Sequence, residues 1–393
     1  MSKQISRKIN KVYVVAACRT PIGRIAGSLS NMSDVRLMTF AFEEAVRRTG
    51  VPSLDIDSVY VGCCFPQEPY NLARKVVLDS SLPDEIPATT INRTCCSSME
   101  AFIQGVREIM VGDAQTVLVG GTENMSKTPH IMRTMIKKLR AKTNSVLPEL
   151  HELKEIRADE LGICAELSAN EHHITREEQD VYAYQSYLKA MEAKEKGYLK
   201  KEIFPVEDDN LNIILAEDEN IPDYISYDML QKEEPIYIRN GTITKLNATS
   251  INDGSAAMVL MSENKVKELG IHPMAEYVDS ESVGTPYREF AIAPKIALEN
   301  LMKRNDLTIN DLDLIEYNEA YAAQALLANE LIKKHSKIIN VNGGSLAIGH
   351  PVGCTGLRIC VTLLFAMQRL NLRIGAASLC GGGGVGQCVL FRM

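Results

Sequence analysis

Ala88-Thr89-Thr90-Ile91-Asn92-Arg93-Thr94-Cys95-Cys96-Ser97-Ser98 is the stretch on which the rest of the chain is organised. Ala88 to Asn92 is short and β-prone, while Met99, Phe102, Ile103, Val106 and Met110 recur at helical spacing just downstream. Thr94 to Ser98 is therefore expected where a strand gives way to a helix, with Cys95 at or beside the helix N-terminus. Unpaired N–H groups and the positive end of the helix dipole favour a thiolate there, which makes a buried cysteine a usable nucleophile. On this stretch alone the plainer reading stands beside it: Cys95 and Cys96 as small core residues, which is what most free cysteines are.

The far end of the chain shifts the balance. Asn342-Gly343-Gly344-Ser345-Leu346-Ala347-Ile348-Gly349-His350-Pro351-Val352-Gly353-Cys354-Thr355-Gly356 is a glycine-rich turn carrying one histidine. A polar ring set among glycines and other small residues has little apolar surface to fill, which favours function over a core role for His350. Beyond it, Cys380-Gly381-Gly382-Gly383-Gly384-Val385-Gly386 follows a predicted strand, and before it comes Asn318-Glu319-Ala320. Together with Asn92-Arg93-Thr94-Cys95, these segments resemble the thiolase family, the acyl-CoA acetyltransferases that make or cleave 3-ketoacyl-CoA. The likeness runs from about Val12 to the C-terminus, and separated motifs in the right order are far more specific than any one of them.

The resemblance implies an α/β thiolase fold: two similar layered halves in five-layered αβαβα packing, with an inserted loop domain over the site. The halves are expected at residues 1–272 and 273–393, with the loop domain at about 122–246. By match to Asn-x-x-Cys, Cys95 is the acyl-carrying nucleophile. By match to Gly-His-Pro, His350 takes its proton and helps to hold the acyl oxygen. Cys380 is the acid/base that removes the α-proton of a second acyl thioester. Asn318 holds a water on the enolate oxygen, and the backbone N–H groups of Cys95 and Gly382 bind the tetrahedral oxyanion. Thr249, Ala320 and Tyr321 fall at coenzyme A contacts. A ketoacyl synthase would carry histidine where Asn318 stands, so non-decarboxylative chemistry is expected. The implied substrates are acyl-CoA and free CoA, with no cofactor and no metal, in a homodimer or homotetramer. Acetoacetyl-CoA is the default 3-ketoacyl substrate. A longer-chain 3-ketoacyl-CoA thiolase is the alternative within the class, and a catalytically idle acyl- or partner-binding protein the alternative outside it. A binding module has no need for Cys95, His350, Cys380 and Asn318 all together.

Composition agrees with a soluble enzyme. The chain has 393 residues, 45% hydrophobic and 24% charged, long enough for two or three domains. A net charge of −7 argues against a nucleic-acid partner, which would need a basic surface. The ten cysteines include no C-x-x-C pair, so neither a zinc ribbon nor a redox dithiol is indicated, and reduced thiols in the cytoplasm are expected. Met1 to Asn10 is basic, but the apolar stretch after it leads into Arg19-Thr20-Pro21-Ile22-Gly23 instead of a cleavage site, and no run reaches membrane-span length.

Strands and helices alternate as in layered α/β architecture. Strands are expected at 12–17, 58–63, 116–120, 312–318 and 376–380, and helices at 34–49, 71–78, 320–334 and 355–370. Ile91-Asn92 and Ile339-Asn340 are each followed by a small-residue turn, a helix, a strand and glycines, which suggests internal duplication. Between about Thr122 and Leu246 the alternation fails. This stretch holds the basic run Lys137-Lys138-Leu139-Arg140-Ala141-Lys142 and a long helical run from Arg176 to Lys200. The basic run reads as a steering patch for anionic phosphates, a solvated face or an oligomer contact. The chain departs from the family's usual pattern at Cys96 and Ser98, where glycines are common. It departs again at Glu160-Leu161-Gly162, where His-Met-Gly is usual in short-chain members, and near Ile221-Pro222-Asp223, where an arginine is expected. The nucleotide end of coenzyme A is therefore expected to be held differently.

Overall fold

The structure is a computed structural model that describes residues 9–51, 55–67, 71–129, 134–135, 147–148, 158–328 and 335–393. Its longer strands are β1 (Val12–Arg19), β2 (Ser58–Gly62), β3 (Ala88–Ile91), β4 (Thr116–Asn124), β5 (Asn252–Ser262), β6 (Ala275–Gly284), β7 (Leu314–Tyr317), β8 (Ile374–Gly381) and β9 (Val385–Arg392). The helices used below are α1 (Asp34–Arg48), α2 (Leu72–Asp79), α3 (Ser97–Val111), α4 (Ala158–Glu171), α5 (Arg176–Glu195), α6 (Ala293–Arg304), α7 (Ala322–Leu326) and α8 (Thr355–Leu370).

The strands run in the order β7-β8-β9-β6-β1-β5-β4-β2-β3. Two similar halves meet at β1 and β6, joined there by only Tyr13↔Glu276 and Val14↔Ala275. In the first half β2 lies parallel to both β3 and β4, and β5 then pairs antiparallel with β4 and β1. The second half repeats this: β7 is parallel to β8, β9 pairs antiparallel with β8 and β6, and Ile339 bridges to Ile315 where β3 would stand. The duplication expected from the sequence is thus visible in the strand pairing.

Side-chain alternation builds the layers. In β5, Ala256, Met258 and Leu260 join a central core with α3 and α8, while Ala257, Val259 and Met261 face outward onto α1 and α2. In β9, Val389 and Phe391 enter the same central core, and Cys388 and Leu390 pack on the outer side with α6. The order helix, sheet, helix, sheet, helix follows, with α3 and α8 sandwiched between the halves. Sheets covered on both faces need apolar residues at every position, and all of β4 and β5 is buried.

Several elements differ from the sequence reading. β4 does not stop at its glycines but runs on to Asn124, because Gly121 has no side chain to collide with Ser98. The helix expected over 320–334 is the short α7, and 329–334, like the basic run 137–142, lies outside the described residues. β5 and β6 escaped notice. β5 opens on the β-poor Asn-Asp-Gly-Ser, and β6 carries Asp279 and Glu281, which Arg304 of α6 holds by ion pairs.

The inserted segment is pinned to the core by charge and by packing. Arg19, at the end of β1 and fully buried, reaches Glu202 at 2.7 Å and Asp218 at 2.6 and 2.8 Å. Burial opposes its charge, but the two carboxylates outweigh it and hold the guanidinium protonated. Ala183, Tyr187 and Ala190 of α5 pack on the short helix Ser345–Ile348 just before His350.

Central glycines allow the two inner helix starts to approach. A methyl at Gly62 would collide with the backbone of Ser97 and Ser98, whereas one at Gly284 meets nothing within 4 Å. Gly62→Ala is therefore expected to destabilise by about 1–3 kcal/mol, the cost of overpacking a core, and Gly284→Ala by less than about 0.5 kcal/mol. Unfolding midpoints in urea check this; equal midpoints would show that α3 yields freely.

Candidate active site

The Cys95 turn is tight and strained. Cys96 N donates to Arg93 O at 3.1 Å and Ser97 N to Thr94 O at 3.0 Å, which closes the turn at the start of α3. Thr94 sits at φ 53, a left-handed conformation that costs a β-branched residue about 1–3 kcal/mol. Its hydroxyl lies 2.7 Å from Arg93 O and 3.1 Å from Gly382 O, the latter contact tying the turn to the second half of the chain. Cys95 is half-buried, and its sulfur is approached by two backbone N–H groups, that of Gly382 and its own.

The pull of the helix start towards a Cys95 thiolate is opposed by burial. Burial pushes the Cys95 thiol up to about 11, and the two N–H groups offset that only in part. Cys95 lies two residues before Ser97, the first residue of α3, so the helix dipole does not overcome desolvation. With its pKa raised this far, Cys95 rests as a thiol near neutral pH.

His350 is held in one tautomer. Its Nδ1 lies 2.6 Å from Thr355 Oγ1, and the Thr355 hydroxyl donates its own proton to Pro351 O at 2.8 Å. With that proton spent, the contact is satisfied only if Nδ1 carries a hydrogen, which leaves Nε2 as a bare acceptor. Burial first, and then the Arg358 cation, lower the imidazole to about 3. The ring is therefore neutral over the physiological range. Asn252 Oδ1 receives the His350 N–H at 2.9 Å, and Gly349, at φ 108, leaves room for that amide.

The two reactive turns are joined directly. Ser98 N donates to Gly353 O at 3.1 Å, and Leu357 N donates back to Ser98 Oγ at 2.9 Å. Glu123 of β4 accepts from Gly353 N at 2.8 Å, and from Cys64 N and Phe65 N at 2.9 Å. Neither Ser98 nor Glu123 was singled out for this role. The signal for Glu123 was a carboxylate within the small-residue run Gly120-Gly121-Thr122-Glu123.

Cys380 and Gly382 stand at and just past the end of β8. Burial, and then the neighbouring Cys95 sulfur, push the Cys380 thiol well up. Asn318 follows β7, its N–H bound to Ser378 O at 2.9 Å. Its Oδ1 accepts from Ser345 Oγ at 2.6 Å, and its Nδ2 is buried with no partner in the protein. A buried unpaired donor calls for a water or a substrate group. Thr249, Ala320 and Tyr321 also come together: Thr249 N donates to Ala320 O at 3.0 Å, and Ala248 bridges Tyr321. The Thr249 hydroxyl donates to Ser345 O at 2.8 Å, so only its lone pairs remain for a ligand. Leu161 of α4 packs in one cluster with Cys380 and Tyr321, which puts the departing Glu160-Leu161-Gly162 segment over the site. Among the described residues no group of three or more His, Cys, Asp or Glu side chains could hold a metal ion.

Comparison with known proteins agrees with this geometry. The chain matches the thiolase N-terminal domain over residues 12–264 and the thiolase C-terminal domain over residues 271–393. It is 38% identical to the cytosolic acetyl-CoA acetyltransferase ERG10 of Gibberella zeae, covering 95% of this chain and 96% of that one. It is 36% identical to an acetyl-CoA acetyltransferase of Syntrophomonas wolfei, over 97% and 99% of the two chains. The crystal structure of the Bacillus anthracis acetyl-CoA acetyltransferase superposes with a TM-score of 0.90 at 34% identity, over 98% of this chain and 100% of that one. Human mitochondrial 3-ketoacyl-CoA thiolase in complex with CoA gives 0.88 at 33% identity, over 98% and 99%. With both domains matched and full-length relatives above 30% identity, the chain belongs to the thiolase family.

Proposed function

We propose that this chain is an acetyl-CoA C-acetyltransferase, which condenses two acetyl-CoA to acetoacetyl-CoA and CoA or runs the reverse thiolysis through acetyl-Cys95. The observation that carries the proposal is that the Cys95 turn lies against the glycines after Cys380, Thr94 Oγ1 donating to Gly382 O at 3.1 Å, with the Gly382 and Cys95 N–H groups beside the Cys95 sulfur. His350 Nε2 takes the Cys95 proton, and the sulfur attacks the thioester carbonyl. The two N–H groups stabilise the oxyanion, and the departing CoA sulfur takes the proton back from His350. In the second half Cys380 gives its thiol proton to the neutral imidazole of His350 and, as thiolate, removes the α-proton of the next acetyl-CoA, while Asn318 Nδ2 holds a water on the enolate oxygen. The carbanion attacks the acetyl group, and the released Cys95 sulfur takes the proton held by His350, so that both cysteines end as thiols. Burial that raises the Cys380 pKa makes its thiolate the stronger base at carbon. Nothing in this sequence of steps asks for a metal or a redox cofactor.

Thr249, Ala320 and Tyr321 form the floor on which coenzyme A would lie, supported by their backbone pairing. Cytoplasmic residence is supported by the cytosolic relative, and no helix among the described residues is long and apolar enough to cross a membrane. A homodimer or homotetramer is supported by β3, a half-buried strand at the open edge of the sheet, which offers unpaired backbone to a second copy. A monomer in sedimentation equilibrium would overturn that part. A longer-chain 3-ketoacyl-CoA thiolase remains the second reading, because the human 3-ketoacyl-CoA thiolase superposes at 0.88 against 0.90 for the acetyltransferase. Thiolysis rates on acetoacetyl-CoA and on a long-chain 3-ketoacyl-CoA decide between them.

The two cysteines should separate by half-reaction. Cys380→Ser given acetyl-CoA in deuterated water is expected to leave an acetyl group on Cys95, seen by peptide mass mapping. Deuterium entry into the methyl group and condensation should fall by about 10²- to 10⁴-fold. Normal exchange with normal condensation would reduce Cys380 to a packing residue.

The proton inventory of the resting site gives a pH test. The His350 pKa is depressed to about 3, so its acceptor form is present above that value and is lost only as pH falls through it. The Cys95 thiol, raised to about 11, ionises only as pH climbs towards that value. Acetylation by acetyl-CoA should therefore be flat between about pH 6 and 9, while alkylation of free Cys95 by iodoacetamide should rise about tenfold per unit. A step in alkylation near neutral pH would indicate a resting thiolate–imidazolium pair instead.

A further inference from the structure

Asn318 can present its NH2 group to a substrate water only if its amide is held one way round. Carbonyl and amide ends of an asparagine have nearly the same shape, so orientation must come from the partners. The partner here is Ser345, whose Oγ lies 2.6 Å from Asn318 Oδ1. Serine has a single hydroxyl proton and could serve either end, accepting from Nδ2 or donating to Oδ1.

What settles the direction is Arg358. This residue of α8 is fully buried, and its Nη2 donates to Ser345 Oγ, while its Nε and Nη1 have no protein partner. A guanidinium only donates, so Ser345 Oγ is the acceptor in that bond and keeps its own proton for Asn318. An asparagine flipped to point Nδ2 at Ser345 would face an oxygen already taking a charged donor, and the serine proton would be left unspent. The Ser345 backbone is fixed as well, since its carbonyl takes the Thr249 hydroxyl at 2.8 Å. Thr362, one turn further along α8, is spent elsewhere, its hydroxyl donating to Glu202 at 3.0 Å.

We propose that Ser345 and Arg358 are positioning residues: the one-way chain from Arg358 Nη2 through Ser345 Oγ to Asn318 Oδ1 locks the asparagine with its NH2 group free for the enolate water. This rests on the role given to Asn318 above. The Ser345 hydroxyl acts through Asn318, so its loss bears on the second half-reaction, whereas Arg358 also acts on His350 and is left in place in the test.

The test is a mutant cycle between Ser345→Ala and Asn318→Ala, with each half-reaction measured on the full-length protein. Ser345→Ala should slow condensation, and deuterium entry into acetyl-CoA, by about tenfold, through loss of a buried hydrogen bond that orients the group. Acetylation of Cys95 should stay within about twofold, and Ser345→Ala should add nothing further in the Asn318→Ala background. Ser345→Cys serves if the alanine variant folds poorly: it holds the volume but offers a weak donor, and the same selective loss is expected. Losses that multiply in the double variant, or equal losses in both half-reactions, overturn the chain as a positioning device. Full condensation by Ser345→Ala and Ser345→Cys, with condensation lost in Asn318→Ala, overturns it while the Asn318 reading stands. Full condensation by Asn318→Ala removes that reading, and this inference with it.

Discussion

The site depends on one close approach: the N-terminal turns of α3 and α8 touch through Ser98 and Gly353. Two buried helix starts carry unpaired N–H groups that must find acceptors. Here each turn supplies one to the other, Ser98 N to Gly353 O and Leu357 N to Ser98 Oγ. The approach is possible because Gly62, Gly121 and Gly356 surround Ser98, each lacking the methyl that would collide with it or its neighbours. Ser98, where the family resemblance leads to an expectation of glycine, is therefore a structural link between the two turns. Its bulk is accommodated by glycines on β2, β4 and α8, and the turns of Cys95 and His350 are bonded directly to each other.

Burial then dictates the electrostatics. Because α3 and α8 lie between two sheets, the ionised forms of Cys95, Cys380 and His350 all lose solvation, and each group is displaced towards its neutral state. At rest these three groups carry no charge of their own. Under the proposed function, charge on them arises only when a thioester is bound, and it then meets N–H dipoles already in place.

The sequence carried the local signals and lost the non-local ones. The strand-turn-helix at Cys95 and the glycine turn at His350 are legible because small residues, β-prone runs and helical spacing sit side by side. α8 matches its expected bounds, and α1 does so within a residue. β5 was hidden because it opens on Asn252-Asp253-Gly254-Ser255, residues that strands disfavour. β6 was hidden because its acidic residues are paid for by Arg304, some 25 positions away. The raised thiol of Cys95 was unreadable for a related reason: a helix N-terminus is local, but the desolvation that defeats it comes from both halves. Arg358 carries no local signal, since its partner Ser345 lies on a separate turn.

Strand register shows how the duplicated halves divide the labour. β2 pairs Gly62 with Gly121, and β7 pairs Tyr317 with Ser378 at the matching ends of parallel strands. Counting one residue past Gly62 and two past Gly121 gives Cys63 and Glu123; the same steps in the second half give Asn318 and Cys380. In the first half this pair is closed: Cys63 Sγ donates to Glu123 at 3.3 Å, and the carboxylate's other partners are backbone N–H groups that hold the two turns together. In the second half the pair is open, with Asn318 Nδ2 unpartnered and Cys380 beside the Cys95 sulfur. One arrangement, used twice, is satisfied internally where it braces the reactive turns and left unsatisfied where a substrate must complete it. The unpaired Asn318 Nδ2 is the physical difference between the two copies of this pair: Glu123 is saturated by N–H and S–H donors, and the amide of Asn318 keeps one donor for a group from outside the protein.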